Sequence, residues 1–179
     1  MPRNISALLF VTMVGTSSVF ASPPSTKLET PVALQNLAQA ALLGMQLSVK
    51  QGHQAGKVPS PVANCVAALK PDSFVPVYDA LLKSKFTPTE QQATEEFLKG
   101  PVGSKYAKYG LLQIYLIAGE KTPEALPTFS AAEMKTLEAF SKTPAGDKLM
   151  MRKVMQSPAA AQAVKPYVSQ LLSQCERGQ

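Results

Sequence analysis

The chain has 179 residues, an apolar share of 45% and a charged share of 17%. That is enough for one ordinary domain with its own core, and the composition is not that of a disordered chain. Its formal net charge of +6 is mildly basic, but the Lys and Arg residues are spread singly without interleaved aromatics, which argues against a nucleic-acid binder.

Arg3 supplies a short positive start, Ile5 to Val14 an apolar run, and Val19-Phe20-Ala21 small residues at the −3 and −1 positions before Ser22-Pro23-Pro24. This layout predicts a secretory signal peptide over 1–21, cleaved after Ala21, and hence export to the periplasm. The apolar run is too short to span a bilayer. Loss of Arg3 with the leader lowers the net charge by one. No transmembrane segment is expected in the mature chain, which is read as a flexible Ser/Pro-rich leader over 22–29 and a single helical domain over 30–179.

Thr30-Pro31 predicts a hydroxyl cap followed by Pro at the first helical position, opening a helix whose periodicity runs from Val32 to Val49 and which Gly52 stops. Gly52 to Pro59 reads as a loop containing His53, the one histidine. Ser60-Pro61 repeats the cap-then-Pro signal and opens a short helix through Lys70 that carries Cys65. Pro71 ends it, and Asp72 is placed to cap a segment reaching about Lys83. The only other cysteine is Cys175. In an oxidising compartment a lone pair is most simply a disulfide, the alternative being two buried thiols.

The segment Phe86 to Lys105 then recurs as Phe129 to Lys148, with eight identical positions and no gap. Phe86, Glu90, Glu95, Phe97, Lys99, Pro101, Gly103 and Lys105 return as Phe129, Glu133, Glu138, Phe140, Lys142, Pro144, Gly146 and Lys148. Thr87-x-x-Glu90 and Ser130-x-x-Glu133 are capping boxes, and Phe86 and Phe129 stand where a hydrophobic staple packs back onto the first turn. Phe97 and Phe140 should bury. Pro101 and Pro144 break each helix, and Gly103 and Gly146 ease the turn into a second helix starting near Ser104 and Asp147. Two helix-corner-helix units, about 86–111 and 129–154, follow. The Ala-rich tail from Ser157, with Pro166 inside it, predicts a kinked helix or two short ones. No strand pattern is present. The fold expected is all-α, a compact multi-helix bundle.

The repeated Phe-x-x-x-Glu…Glu-x-Phe…Pro-x-Gly-x-Lys resembles the signature of the DUF2059 family of exported Gram-negative bacterial proteins, over roughly residues 74–155. Phe74-Val-Pro-Val-Tyr78 is similar to the helix that leads into that motif. Where the family has an aromatic pair, this chain has Phe97-Leu98 and Phe140-Ser141. What the resemblance implies is a helical, periplasmic fold, with no activity attached to it.

No catalytic, cofactor or metal site emerges. One His and two paired Cys do not assemble a usual zinc or copper site, nor a Ser-His-Asp or Cys-His arrangement. Glu90/Glu95 and Glu133/Glu138 offer acid–base pairs for cleaving a cell-wall glycan, but Glu90 and Glu133 are claimed by the capping boxes. Of the seven Met residues, Met1 and Met13 lie in the expected signal peptide and the rest read as core filling. The function expected is therefore non-catalytic: binding of another protein, as an envelope factor or an immunity or inhibitor protein. The alternatives are a Glu-dependent peptidoglycan hydrolase and a carrier of an apolar ligand whose cavity is lined by Tyr106, Tyr109, Tyr115 and Met side chains.

Overall fold

A computed structural model describes residues 30–178. The expected signal peptide (1–21) and Ser/Pro-rich leader (22–29) lie outside the described residues. Those residues form helices and turns, with no strand.

Helix α1 (Val32–Gln54) is the axis of the molecule, followed by α2 (Ser60–Ala68), a 3₁₀ turn (Pro71–Phe74) and α3 (Val75–Lys85). The first repeat unit is α4 (Pro88–Lys99) and α5 (Pro101–Ile117); the second is α6 (Ala131–Ser141) and a short α7 (Pro144–Gly146) running into a π-helical turn (Asp147–Met151). A 3₁₀ turn (Val154–Gln156) leads to α8 (Pro158–Glu176). Proline in the first turn of α2, α4, α5, α7 and α8 sets φ for entry into the helix where no N–H is needed.

Two apolar clusters make the core. One joins Ala38, Leu42 and Met45 of α1 to Val62 and Val66 of α2, Phe74, and Leu171 and Cys175 of α8. The other joins Leu34 to Leu81 and Leu82 of α3, Phe86, Met155, and Ala160 and Val164 of α8. Val75, Val77, Tyr78 and Val168 pack against both, so the two are continuous. Cys65 and Cys175 lie at disulfide distance, 2.02 Å between sulfurs, and tie α2 to the end of α8. Tyr167 braces the same joint, donating its hydroxyl to the Ser73 carbonyl at 2.5 Å and setting its ring edge-on to Phe74.

Several local expectations change. Thr30, Ser60 and Asp72 cap nothing with their side chains. The α1 start is capped from another helix: the Glu95 carboxylate of α4 accepts from the N–H groups of Val32 and Ala33, both at 2.9 Å. Gly52 does not stop α1, which continues to Gln54; the left-handed residue beyond it is Gly56, at φ 70°. His53 thus sits in the last helical turn, exposed, donating from Nδ1 to the Val58 carbonyl at 2.8 Å. The tail is one helix that contains Pro166, with Ser157 capping it through the Ala160 N–H.

Candidate functional site

Both capping boxes form. The Thr87 hydroxyl accepts from the Glu90 N–H while the Glu90 carboxylate accepts from the Thr87 N–H, and Ser130 and Glu133 reproduce the pair. The two units also lock each other. Lys105 of the first donates to both carboxylate oxygens of Glu133 in the second, at 2.8 and 2.9 Å. Lys148 of the second donates to Glu90 of the first at 2.5 Å and to the Lys85 carbonyl at 3.0 Å. Each ammonium also lies over the other unit's phenylalanine, Lys105 at 5.2 Å from the Phe129 centroid and Lys148 at 5.6 Å from that of Phe86. Between them Phe97 and Phe140 stack at 3.9 Å and 4°. The repeat is therefore a reciprocal, two-fold-like clasp, with the same patch used on both sides.

This clasp departs from the expected helix-corner-helix unit in four ways. Phe86 is no staple on its own first turn, where Gln91 offers no apolar partner; it packs into the core beside Leu34 and Leu82, 2% exposed. Phe97 and Phe140 are half-buried against each other. The second helices begin at Pro101 and Pro144, three residues earlier than expected, so Gly103 and Gly146 lie inside the first turn. A Cβ at Gly103 would stand 1.9 Å from the Phe97 carbonyl oxygen, and one at Gly146 1.8 Å from that of Phe140. Both glycines permit the close approach of one helix to the end of the one before. Lastly, the second unit has no full second helix: its π turn ends at Met151, and Lys153 turns left-handed at φ 47°. The 3₁₀ turn and then Ser157-Pro158 follow, and the proline disfavours helical continuation through Ser157.

Each of the repeated carboxylates is engaged by a backbone N–H, a lysine or both. Lys105 and the Ser130 N–H hold the Glu133 carboxyl down to about 2. Lys148, with the Thr87 backbone, lowers Glu90. Burial opposes ionisation of Glu95, but the N–H groups of Ala33 and Val32 and Lys99 outweigh it and lower its pKa. Glu138, exposed, is lowered by Lys142. A general acid for glycoside cleavage needs its carboxyl raised, and all four of these move the other way.

The clasp also backs one wall of a half-open cleft of about 1230 Å³. Phe97 packs on Tyr106, with centroids 6.3 Å apart, and Phe129 sets its edge to Tyr109 at 6.0 Å; both tyrosines face the cleft from α5. The floor is the Ala33-Asn36-Leu37-Ala40-Ala41 stripe of α1, and the far wall is Ala160, Ala161, Val164, Lys165 and Val168 of α8. Helix α5 packs on α1 and α4, whereas α8 packs on α2 and α3, and the space between them is the cleft. Small residues keep it open: Ala40, Ala41, Ala107, Gly110, Ala160 and Ala161 leave room that Leu or Phe would occupy. A Cβ on Gly110 would meet nothing within 4 Å. Burial raises the hydroxyl pKa of Tyr78 and of Tyr106, both of which line the cleft.

Of the cavity residues expected from sequence, Tyr106 and Tyr109 are in place with Met150 and Met155, but Tyr115 is not among the lining residues. Core filling describes Met45 and Met155; Met134 and Met151 are exposed instead, beside a shallow hollow that also includes Leu137 and Met150. Asn36, Gln113 and the α1 and α8 alanines were missed because each looked ordinary on its own helix. Among the described residues no three His, Cys, Asp or Glu side chains gather to hold a metal ion, and no helix is long and apolar enough to cross a membrane.

Fold and site thus define a class: an all-α protein with a clasped repeat and an apolar interhelical cleft. No family model, curated protein or solved structure matches the chain.

Proposed function

We propose that the protein is a non-catalytic binding protein of the periplasm, exported by a signal peptide cleaved after Ala21, and that its cleft takes an apolar ligand. The cleft itself carries this reading: it is concave, predominantly apolar and edged by a few polar groups, as sites for small apolar molecules are. Export is supported by the leader's layout and the paired cysteines, and the resemblance to the DUF2059 family fits the same compartment. Native mass spectrometry of gently purified protein tests it. The wild type should carry adduct mass that Gly110→Trp, filling open space, removes. A wild type that stays free of adducts when offered apolar compounds would end the carrier reading.

A protein partner is the second reading, favoured by exposed Met134 and Met151 around their hollow. Flexible methionines suit an adaptable protein interface. A photo-crosslinker at Met134 should capture a defined partner that one at Lys57, at the far end of α1, does not. Equal capture from both positions would remove it.

A further inference from the structure

Resting on the reading of the cleft as a site for an apolar ligand, we infer that its occupant is an anionic amphiphile, with a long apolar chain lying between α5 and α8 and an acidic headgroup at Lys153 and Lys165. The cleft is lined by two formally charged side chains, both lysines, and by no carboxylate. Neither lysine has an ion-pair partner among the described residues. Lys153 is at the left-handed turn before the last 3₁₀ segment and Lys165 is on α8, so neither comes from α5.

The opposite wall is different. The lysines of α5, Lys105 and Lys108, are paired with Glu133 and Glu124 and do not line the cleft. That wall presents Ala107, Gly110, Ile114 and Ile117, the last 83% exposed, together with the neutral polar Tyr106, Tyr109 and Gln113. The cleft's formal charge is therefore wholly positive, while α5 contributes only neutral side chains to it. Ammonium groups without a counter-ion in a predominantly apolar cleft match a molecule with an acid at one end and hydrocarbon at the other. A cationic ligand would be repelled.

The test titrates the full exported protein with laurate, dodecyl phosphate and uncharged 1-monolaurin, below their aggregation concentrations, by isothermal titration calorimetry. Both anions should bind roughly tenfold tighter than monolaurin, the scale of two partly exposed ion pairs. The double variant Lys153→Glu/Lys165→Glu should abolish or reverse that preference, with circular dichroism confirming the fold; Lys165→Gln should lose about half of it on a logarithmic scale. Monolaurin binding as tightly as laurate, or a preference that survives charge reversal, overturns the inference while leaving the carrier reading intact. Failure of all three ligands overturns both. Dimerisation that Gly110→Trp disrupts would place a second copy in the cleft and likewise overturn the inference. A preference for dodecyl phosphate over laurate supports it and points to a phospholipid-type headgroup; the reverse supports it and points to a fatty acid.

Discussion

Two glycines of α5 show how position decides the meaning of a residue. Gly103 sits where a methyl group would stand 1.9 Å from a backbone carbonyl oxygen, and backbone cannot move aside cheaply. Gly110, seven residues on, faces open space in the same helix. Gly103→Ala should therefore destabilise the protein by about 1–3 kcal/mol, the usual cost of overpacking. Gly110→Ala should stabilise it by about 0.5–1 kcal/mol through helix propensity. Urea denaturation read by circular dichroism measures both, and equal effects of one sign would contradict the assigned environments. Glu95 makes the same point for charge. In the sequence it is half of a candidate acid–base pair, yet in the structure its carboxylate caps the first turn of α1 from another helix.

At the scale of elements, the clasp joins two segments through contacts that neither makes alone. Each capping Glu is completed by the lysine of the other unit, so the N-terminal turns of α4 and α6 are coupled to the helix–helix corner opposite. The pH dependence follows from the sign of the shifts. Glu133 is held at about 2 against an ordinary value of 4.5, and Glu90 is lowered in the same direction. The unfolded chain then takes up these protons first, so the clasp contributes fully at neutral pH and its contribution is lost as pH falls from about 4.5 through 2. Thermal melts of the wild type should drop across that window. Lys105→Met and Lys148→Met should lower the melting temperature at pH 7 and flatten the decline in acid; an unchanged profile would mean that the crossed lysines do not set it. Because Tyr106 and Tyr109 rest on Phe97 and Phe129, loosening the clasp should also loosen one wall of the cleft.

For the whole molecule, the Cys65–Cys175 pair spans a sequence separation of 110 and joins the second helix to the last. In the chain-entropy model, closing such a loop stabilises the folded state by about 4–5 kcal/mol, more than any single contact described above. Guanidinium unfolding with and without reductant, and of Cys65→Ser/Cys175→Ser, should show a loss of that order. A loss below about 1 kcal/mol would mean that helix packing, and not the cross-link, holds α8 in place. Since α8 supplies Lys165 to the cleft, the reduced protein should also bind the anionic probes less tightly.

The helical class, the repeat and its capping boxes were legible in the chain because they depend on neighbours three or four positions apart, where spacing alone decides geometry. The cysteine pairing could be read from counting, since only two were present. The caps assigned to Thr30, Ser60 and Asp72 were not delivered, because a tertiary carboxylate satisfied α1 and prolines entered the other helices. Only the folded structure decided that the two repeats clasp each other, that the second lacks a full second helix, and that α5 and α8 pack on different neighbours. A cleft is a space between elements. It exists where small residues from three distant segments happen to face one another, and no periodicity within any one of them records that meeting.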